Sequence, residues 1–326
     1  MRPRISRLHG LAVVRNERKM DLLPQKYASG YAALWRSASP ELRGILLMCI
    51  STFCFAVMHI FIRYTSLNTD LHSFQIAFFR NVFGFFVFLP LLFSQGAGFL
   101  KTERLALHGF RSLFNIGAML MFFYALSITE VGHVTALGFS APIFAAVLSV
   151  VVLGERFRVR RWAAIGMGVV GMLVIVRPGL IPFELGPALV IASALCWAIV
   201  LTFIKVMSRT ESSLTIVAYM NIFLAVYALG PAIWVWVWPP WEGWLLMIAI
   251  AIVGTCAQIC VSQSLKETEQ TLVMPFDFLR LIWVAVIGFW VFGEVPDRFV
   301  WAGGAIIFAS GFYLAYRERK AKAGES

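Results

Sequence analysis

The run "FDFLRLIWVAVIGFWVFGE", residues 276–294, is apolar enough for a membrane helix, yet it carries Asp277 and Arg280 inside it. Set 139 positions back, "FSAPIFAAVLSVVVLGE", residues 139–155, has the same frame, so that Phe278 through Glu294 copies Phe139 through Glu155. Asp277 and Arg280 then fall on Gly138 and Ala141, and the acid and base are additions to an uncharged copy. Spaced i, i+3, the two share one helix face. Either charge alone would cost several kcal/mol at mid-bilayer.

The copy extends along the chain. At an offset of 142, Gly44 meets Gly186, Cys54 meets Cys196, Ala56 meets Ala198, Ile62 meets Ile204 and Arg63 meets Lys205. At an offset of 139, Thr129-Glu130 meets Thr268-Glu269, Gly154-Glu155 meets Gly293-Glu294, and Trp162 meets Trp301. An offset of 141 superposes Pro90 on Pro231. Such an ordered series at nearly constant spacing is an internal repeat.

Of the 326 residues, 60% are hydrophobic and 14% charged, more apolar surface than a soluble fold of this size covers. Ten segments reach the length of about 20 apolar residues that a bilayer demands. They lie near 44–65, 73–94, 107–127, 132–153, 160–177, 185–206, 213–237, 242–263, 271–293 and 298–316. Connections such as SLNTDLH, SITEVG and WPPWEG leave no room for a soluble domain. Each repeat holds five spans, an odd number, so the two copies enter the membrane from opposite sides. The expected fold is an all-α membrane protein with ten transmembrane helices in two inverted five-helix repeats, residues 43–178 and 184–316. Folds of this kind place a substrate site near midplane between the halves.

The net charge of +11 reports orientation rather than nucleic acid binding. With residues 1–42 and 317–326 as cytoplasmic basic tails, twenty-two Lys and Arg lie on the inner side, against Arg63, Arg177 and Arg298 outside. The corner GERFRVRRW is basic, whereas its partner GEVPDRFVW carries more acid than base. Residues 1–42 lack the apolar core of a signal peptide, and Met20 is an alternative start to Met1. The expected location is the plasma membrane, the inner membrane in a bacterium.

The residues resemble the EamA-type drug/metabolite transporters, carriers of five plus five helices, over about residues 41–316. The resemblance rests on "FQIAFFRNVFGFFVFLP" in span 2, "FYALSITEVGHVTALGFSAPIFAAVLSVVVLGERF" across spans 3 and 4, and "RRWAAIGMGVVGMLVIVRPG" in span 5. The repeated Gly-Glu and Trp of the second half add to it. One departure is that Pro142 of the first repeat is matched by Leu281, with Pro275 placed earlier. "PFDFLRL" in span 9 is similar to the branch that includes riboflavin and S-adenosylmethionine carriers and some metallophore exporters. The resemblance implies secondary-active transport of a small organic metabolite by alternating access, with export of drugs or toxic metabolites as the alternative.

Intramembrane polar residues are expensive and mark cavities or partners. Arg80 in span 2 is read as a fork for a carboxylate or phosphate, or as a group that bonds exposed backbone carbonyls or snorkels outward; its repeat equivalent is Asn221. Asp277 and Arg280 are read as cavity residues, Asp277 binding a proton or cationic group, or as a fixed ion pair. His59 and His133 are read either as proton relays or as satisfied interfacial histidines; Gln75, Gln258 and Gln263 are further hydrogen-bonding candidates. Phe55 and its repeat partner Trp197, with Phe78, Phe276 and Trp283, could stack on a planar ring, and "WVWVWPPWEGW" reads as an interfacial belt. Glu155 and Glu294 sit at corners on opposite faces, roughly 30 Å apart, and are expected to anchor the start of the next helix.

The five cysteines lie in apolar runs with no ligand cluster beside them, so no metal or cofactor is expected. The chain has no P-loop for ATP coupling. An enzyme would need His, Asp or Glu gathered on one membrane face, and a receptor or assembly factor a sizeable soluble part; neither is present. The expected partners are a small-molecule substrate and the bilayer, with proton coupling and a homodimer through the glycine-rich spans 5 and 10 left open.

Overall fold

A computed structural model describes residues 38–90, 93, 96–141, 143–145, 147–148, 159–177, 184–207, 210–268 and 270–323. Pro142, Glu155 and most of the amino-terminal tail, on which expectations fell, lie outside the described residues. The helices are α1 (Pro40–Asn68), α2 (Ser73–Phe86), α3 (Leu105–Ile128), α4 (Val131–Gly138), α5 (Val159–Val176) and α6 (Leu185–Met207). They continue as α7 (Ser213–Trp234), α8 (Trp241–Glu267), α9 (Gln270–Asp277), α10 (Leu279–Phe292) and α11 (Arg298–Ala323). No strand occurs among the described residues.

Local signals set the helix ends. Ser39 caps α1 by accepting from the Leu42 N–H, with Pro40 following at the first position. Ser212 caps α7 through the Thr215 N–H at 3.0 Å. Gly293 ends α10 in the left-handed conformation, φ 71°, which a side chain would strain. Five stretches, Pro40–Asn68, Leu105–Ile128, Leu185–Ile204, Leu214–Trp234 and Trp241–Glu267, are long and apolar enough to cross a membrane unaided.

Spans 4 and 9, expected as continuous helices, are both interrupted. In span 4 the pitch tightens at Phe139, whose N–H bonds Ala136 O at 3.3 Å, followed by Ser140 N to Leu137 O at 3.0 Å. Span 9 divides at Phe278, where Leu281 N bonds Phe278 O at 3.0 Å. Phe139 and Phe278 are repeat counterparts, so the two halves break at the same place.

Packing repeats as well. The most extensive helix pairs include α1 with α8 and α3 with α6, which the repeat interchanges, and α5 with α11, which it maps onto itself. Ser51 Oγ donates to Ala257 O at 2.9 Å between α1 and α8, and Ser193 Oγ donates to Ala118 O at 2.8 Å between α6 and α3. These bonds are equivalent under the two offsets. So are the close approaches of Gly44 to Thr268 and Gly186 to Thr129. The glycines of spans 5 and 10 serve this same packing: a Cβ on Gly171 would lie 2.8 Å from Gly303 O, and one on Gly303 2.6 Å from Gly171 O.

At the end of the bundle that carries Glu294, Arg63 ties several elements together. Its Nε donates to Glu294 Oε1 at 2.7 Å, and its Nη1 to Leu126 O and Thr129 O at 3.0 and 2.7 Å. Glu294 Oε2 accepts from Val131 N at 3.1 Å. Glu294 therefore anchors the start of α4, not the helix that follows it, which Asp297 caps through Val300 N at 2.8 Å. Trp234, Trp238, Trp241 and Trp290 stand 74–84% exposed at this end, as an interfacial belt requires.

Candidate functional site

The break in span 9 shapes the charged pair. In a tightened turn, side chains at i and i+3 nearly eclipse, and one Arg280 nitrogen, Nη2, meets both carboxylate oxygens of Asp277, at 2.6 and 2.5 Å. The guanidinium lies between two aromatic faces, 5.4 Å from the Phe55 ring of α1 and 5.2 Å from the ring of Phe139. Phe139 touches Phe278 with centroids 5.9 Å apart, and Phe278 touches Phe308 of α11 at 5.0 Å. Arg280 Nε has no partner, so the guanidinium retains donor capacity beyond Asp277. Both charged side chains are about a quarter exposed, so the pair is not sealed.

His59 stands one turn along α1 from Phe55. It is buried, lies 5.1 Å ring to ring from Phe122, and its Nδ1 is without a partner. Asp277, Arg280, Phe55 and His59, drawn from two distant parts of the sequence, thus form one group.

Arg80 forms a second group with α7 and α8. It is 1% exposed, and its Nη1 donates to Asn81 Oδ1 at 2.9 Å while Nε is unpartnered. Among the described residues no carboxylate lies within ion-pairing distance of it. Gly254 lets α8 pass: a Cβ there would stand 3.3 Å from Arg80 Nε and 2.6 Å from Met58 Sδ. Gly84, one turn along α2 from Arg80, lies against Asn221 and Thr255, whose side-chain polar atoms are also buried and unpartnered. The repeat pair Arg80 and Asn221 thus converges on one polar region, at the packing of α2 on α7 and α8.

Other sequence candidates fall elsewhere. Gln75 is committed to the backbone, donating to Val237 O at 2.9 Å and accepting from Val237 N at 3.2 Å, which fixes the link before α8. His133 pairs with Glu130 at 3.1 Å and Gln263 with Glu267 at 2.9 Å. Trp197 and Gln258 are half-buried on α6 and α8. The sequence reasoning missed Thr255 and Gly254. It also passed over Arg111, a second fully buried arginine, which the intramembrane-charge argument applied to Arg80 would have flagged.

The match to known proteins agrees with this architecture. The model of the EamA-like transporter family matches residues 42–177 and again residues 184–316. The chain belongs to this family. It is 28% identical over 279 residues to an S-adenosylmethionine uptake transporter of Rickettsia prowazekii, covering 86% of this chain and 94% of that protein. It is likewise 28% identical to a riboflavin transporter of Vibrio cholerae, over 86% of this chain and 95% of the relative. A crystal structure with 18% identity aligns with a TM-score of 0.58 over 83% of this chain and 96% of the other, which speaks to the fold alone. This family member is a multi-pass membrane protein built for small-molecule transport, and the duplicated match fits its two repeats.

Proposed function

We propose that this family member is a secondary carrier of a small, planar, partly charged metabolite, of which an S-adenosylmethionine-like amino-acid derivative is the leading class. It works by alternating access between the repeats, in a bacterial inner membrane with both termini cytoplasmic. The observation that carries the reading is Arg80, a fully buried cation with no counter-charge among the described residues. A buried charge without a partner is strongly unfavourable, and a substrate carboxylate would supply the partner. Asp277 suits the cationic part of such a solute, and the Phe55 and Phe139 faces around Arg280 suit its ring. The Arg63–Glu294 cluster would hold one end shut and release in the opposite state.

A riboflavin-like solute is the second reading, favoured by the Vibrio cholerae relative over a comparable length. Riboflavin has no ionised acid group and so leaves Arg80 without a partner, which is why it ranks second.

The test is uptake of labelled S-adenosylmethionine and riboflavin into proteoliposomes, with and without a pH gradient. S-adenosylmethionine should accumulate, and Arg80→Gln should weaken its apparent affinity on the order of 10- to 100-fold, the worth of a charge-assisted hydrogen bond. Dependence on the gradient would assign proton coupling. Unchanged affinity in a well-expressed Arg80→Gln variant would remove the carboxylate role.

A further inference from the structure

Along the first three turns of α3, His108, Arg111, Ser112 and Asn115 recur at i, i+3, i+4 and i+7 and so share one helix face. All four are buried, His108, Arg111 and Ser112 at 0% exposure and Asn115 at 3%. Among the described residues, both His108 ring nitrogens, Arg111 Nε and Nη1, Ser112 Oγ and Asn115 Nδ2 have no hydrogen-bond partner. The one bond Arg111 makes among the described residues is a long one, from Nη2 to Ile216 O at 3.4 Å. No carboxylate lies within ion-pairing distance of it among the described residues. Glu211, the acid whose charge reaches His108, is engaged by the Thr102 hydroxyl at 2.7 Å. Helix α7 covers the face, with Tyr219 tilted over His108 at 4.8 Å and held by its own bond to Leu100 O at 2.7 Å.

Buried polar groups are ordinarily bonded, and a buried cation is ordinarily paired. Here the unsatisfied groups gather on one face around a fixed positive charge, and most of them are donors. We propose that this face is an oxyanion-binding site, separate from the Arg80 group, that takes the carboxylate of the transported solute at the end of the bundle where α3 begins. It forms a second station on the path to Arg80. The assignment of the solute as its source rests on the transport reading; the anion chemistry does not.

The test uses the full chain, purified in detergent, with thermal unfolding followed at fixed pH against two probes, S-adenosylmethionine and inorganic phosphate. S-adenosylmethionine should raise the midpoint of the wild type; Arg111→Gln should lose part of that rise, and the part it keeps should be lost on adding Arg80→Gln. Without ligand, Arg111→Gln should unfold at the same or a higher temperature, because an unpaired buried charge has been removed; an arginine needed only for its Ile216 bond would lower it. Ser112→Ala, which keeps the charge, should weaken binding on the order of 10-fold and serves if Arg111→Gln does not fold. If phosphate alone stabilises the wild type and not Arg111→Gln, the oxyanion site stands but its source is a free anion, and the solute reading falls. If neither probe stabilises the wild type, or a folded Arg111→Gln keeps both shifts, the site is overturned.

Discussion

Phe139 and Phe278, 139 positions apart in the chain, meet ring to ring at 5.9 Å, and each marks the point where its span loses regular pitch. An inverted repeat brings such counterparts together only near its pseudo-twofold axis. Discontinuous helices at that axis free polar groups and re-aim side chains, the usual construction of a midplane transport site. Here the break directs Arg280 between Phe55 and Phe139 and onto Asp277.

The charged pair should behave as a unit. Arg280→Gln leaves Asp277 as an uncompensated partly buried acid, and Asp277→Asn does the converse to Arg280. Because both side chains are about a quarter exposed, each single change should destabilise by about 1–2 kcal/mol, below the range for sealed pairs. The double variant should recover much of that loss, measured as the surviving fraction after heating in detergent. Uptake should fail in all three, whereas an ion pair that only fixes span 9 would let the stable double variant transport.

Glu294→Gln tests the cluster at the Glu294 end. The substitution removes the charge facing Arg63 and leaves one amide oxygen to serve both Arg63 and Val131 N, so the outlay should be about 1–3 kcal/mol. Thiol labelling of a cysteine placed at Thr129, a nearly buried position, should become faster in the Glu294→Gln background. Equal labelling rates would mean that the cluster does not hold this end closed.

The ten spans were legible because hydropathy and loop length are properties of composition, and the repeat because its offsets are nearly constant. The breaks were not. Proline was the visible signal, yet Pro142 and Pro275 do not align, whereas the interruptions fall on the aligned Phe139 and Phe278. Polarity within a span likewise cannot tell a cavity group from a brace: Gln75 and Arg80 share one helix, but Gln75 spends both ends of its amide on Val237. Glu294 was misplaced for a related reason, since sequence adjacency suggested α11 while the tertiary contact is with α4.

The repeat-related glycines should show equal sensitivity. Ala at Gly186 would drive its Cβ into the Thr129 side chain, and Ala at Gly44 into that of Thr268. Each should cost about 1–3 kcal/mol by overpacking. Thr129→Ala should rescue Gly186→Ala only in part, because the Thr129 Cβ itself stands 2.9 Å from the added carbon. A double-mutant cycle with no coupling would refute this contact.

The clasp between Arg177 and Asp297 supplies a pH dependence of known sign. Burial works to raise the Asp297 carboxyl, but the Val300 N–H and the Arg177 guanidinium, 2.7 Å away, prevail and hold it below its ordinary value of 3.8. A depressed folded-state pKa stabilises above the unfolded value and loses that contribution as pH falls through the folded one. The clasp should therefore contribute fully at neutral pH, begin to weaken near pH 4, and be gone once Asp297 is protonated in both states. Asp297 is about a third exposed and Arg177 about a fifth, so solvent screening limits the effect to below about 1 kcal/mol. Asp297→Asn should lower the thermal midpoint slightly at pH 7 and not at all at the acid limit. Because an asparagine can still cap α11 at Val300, a difference that persisted unchanged at low pH would show that the Asp297 charge is not its source.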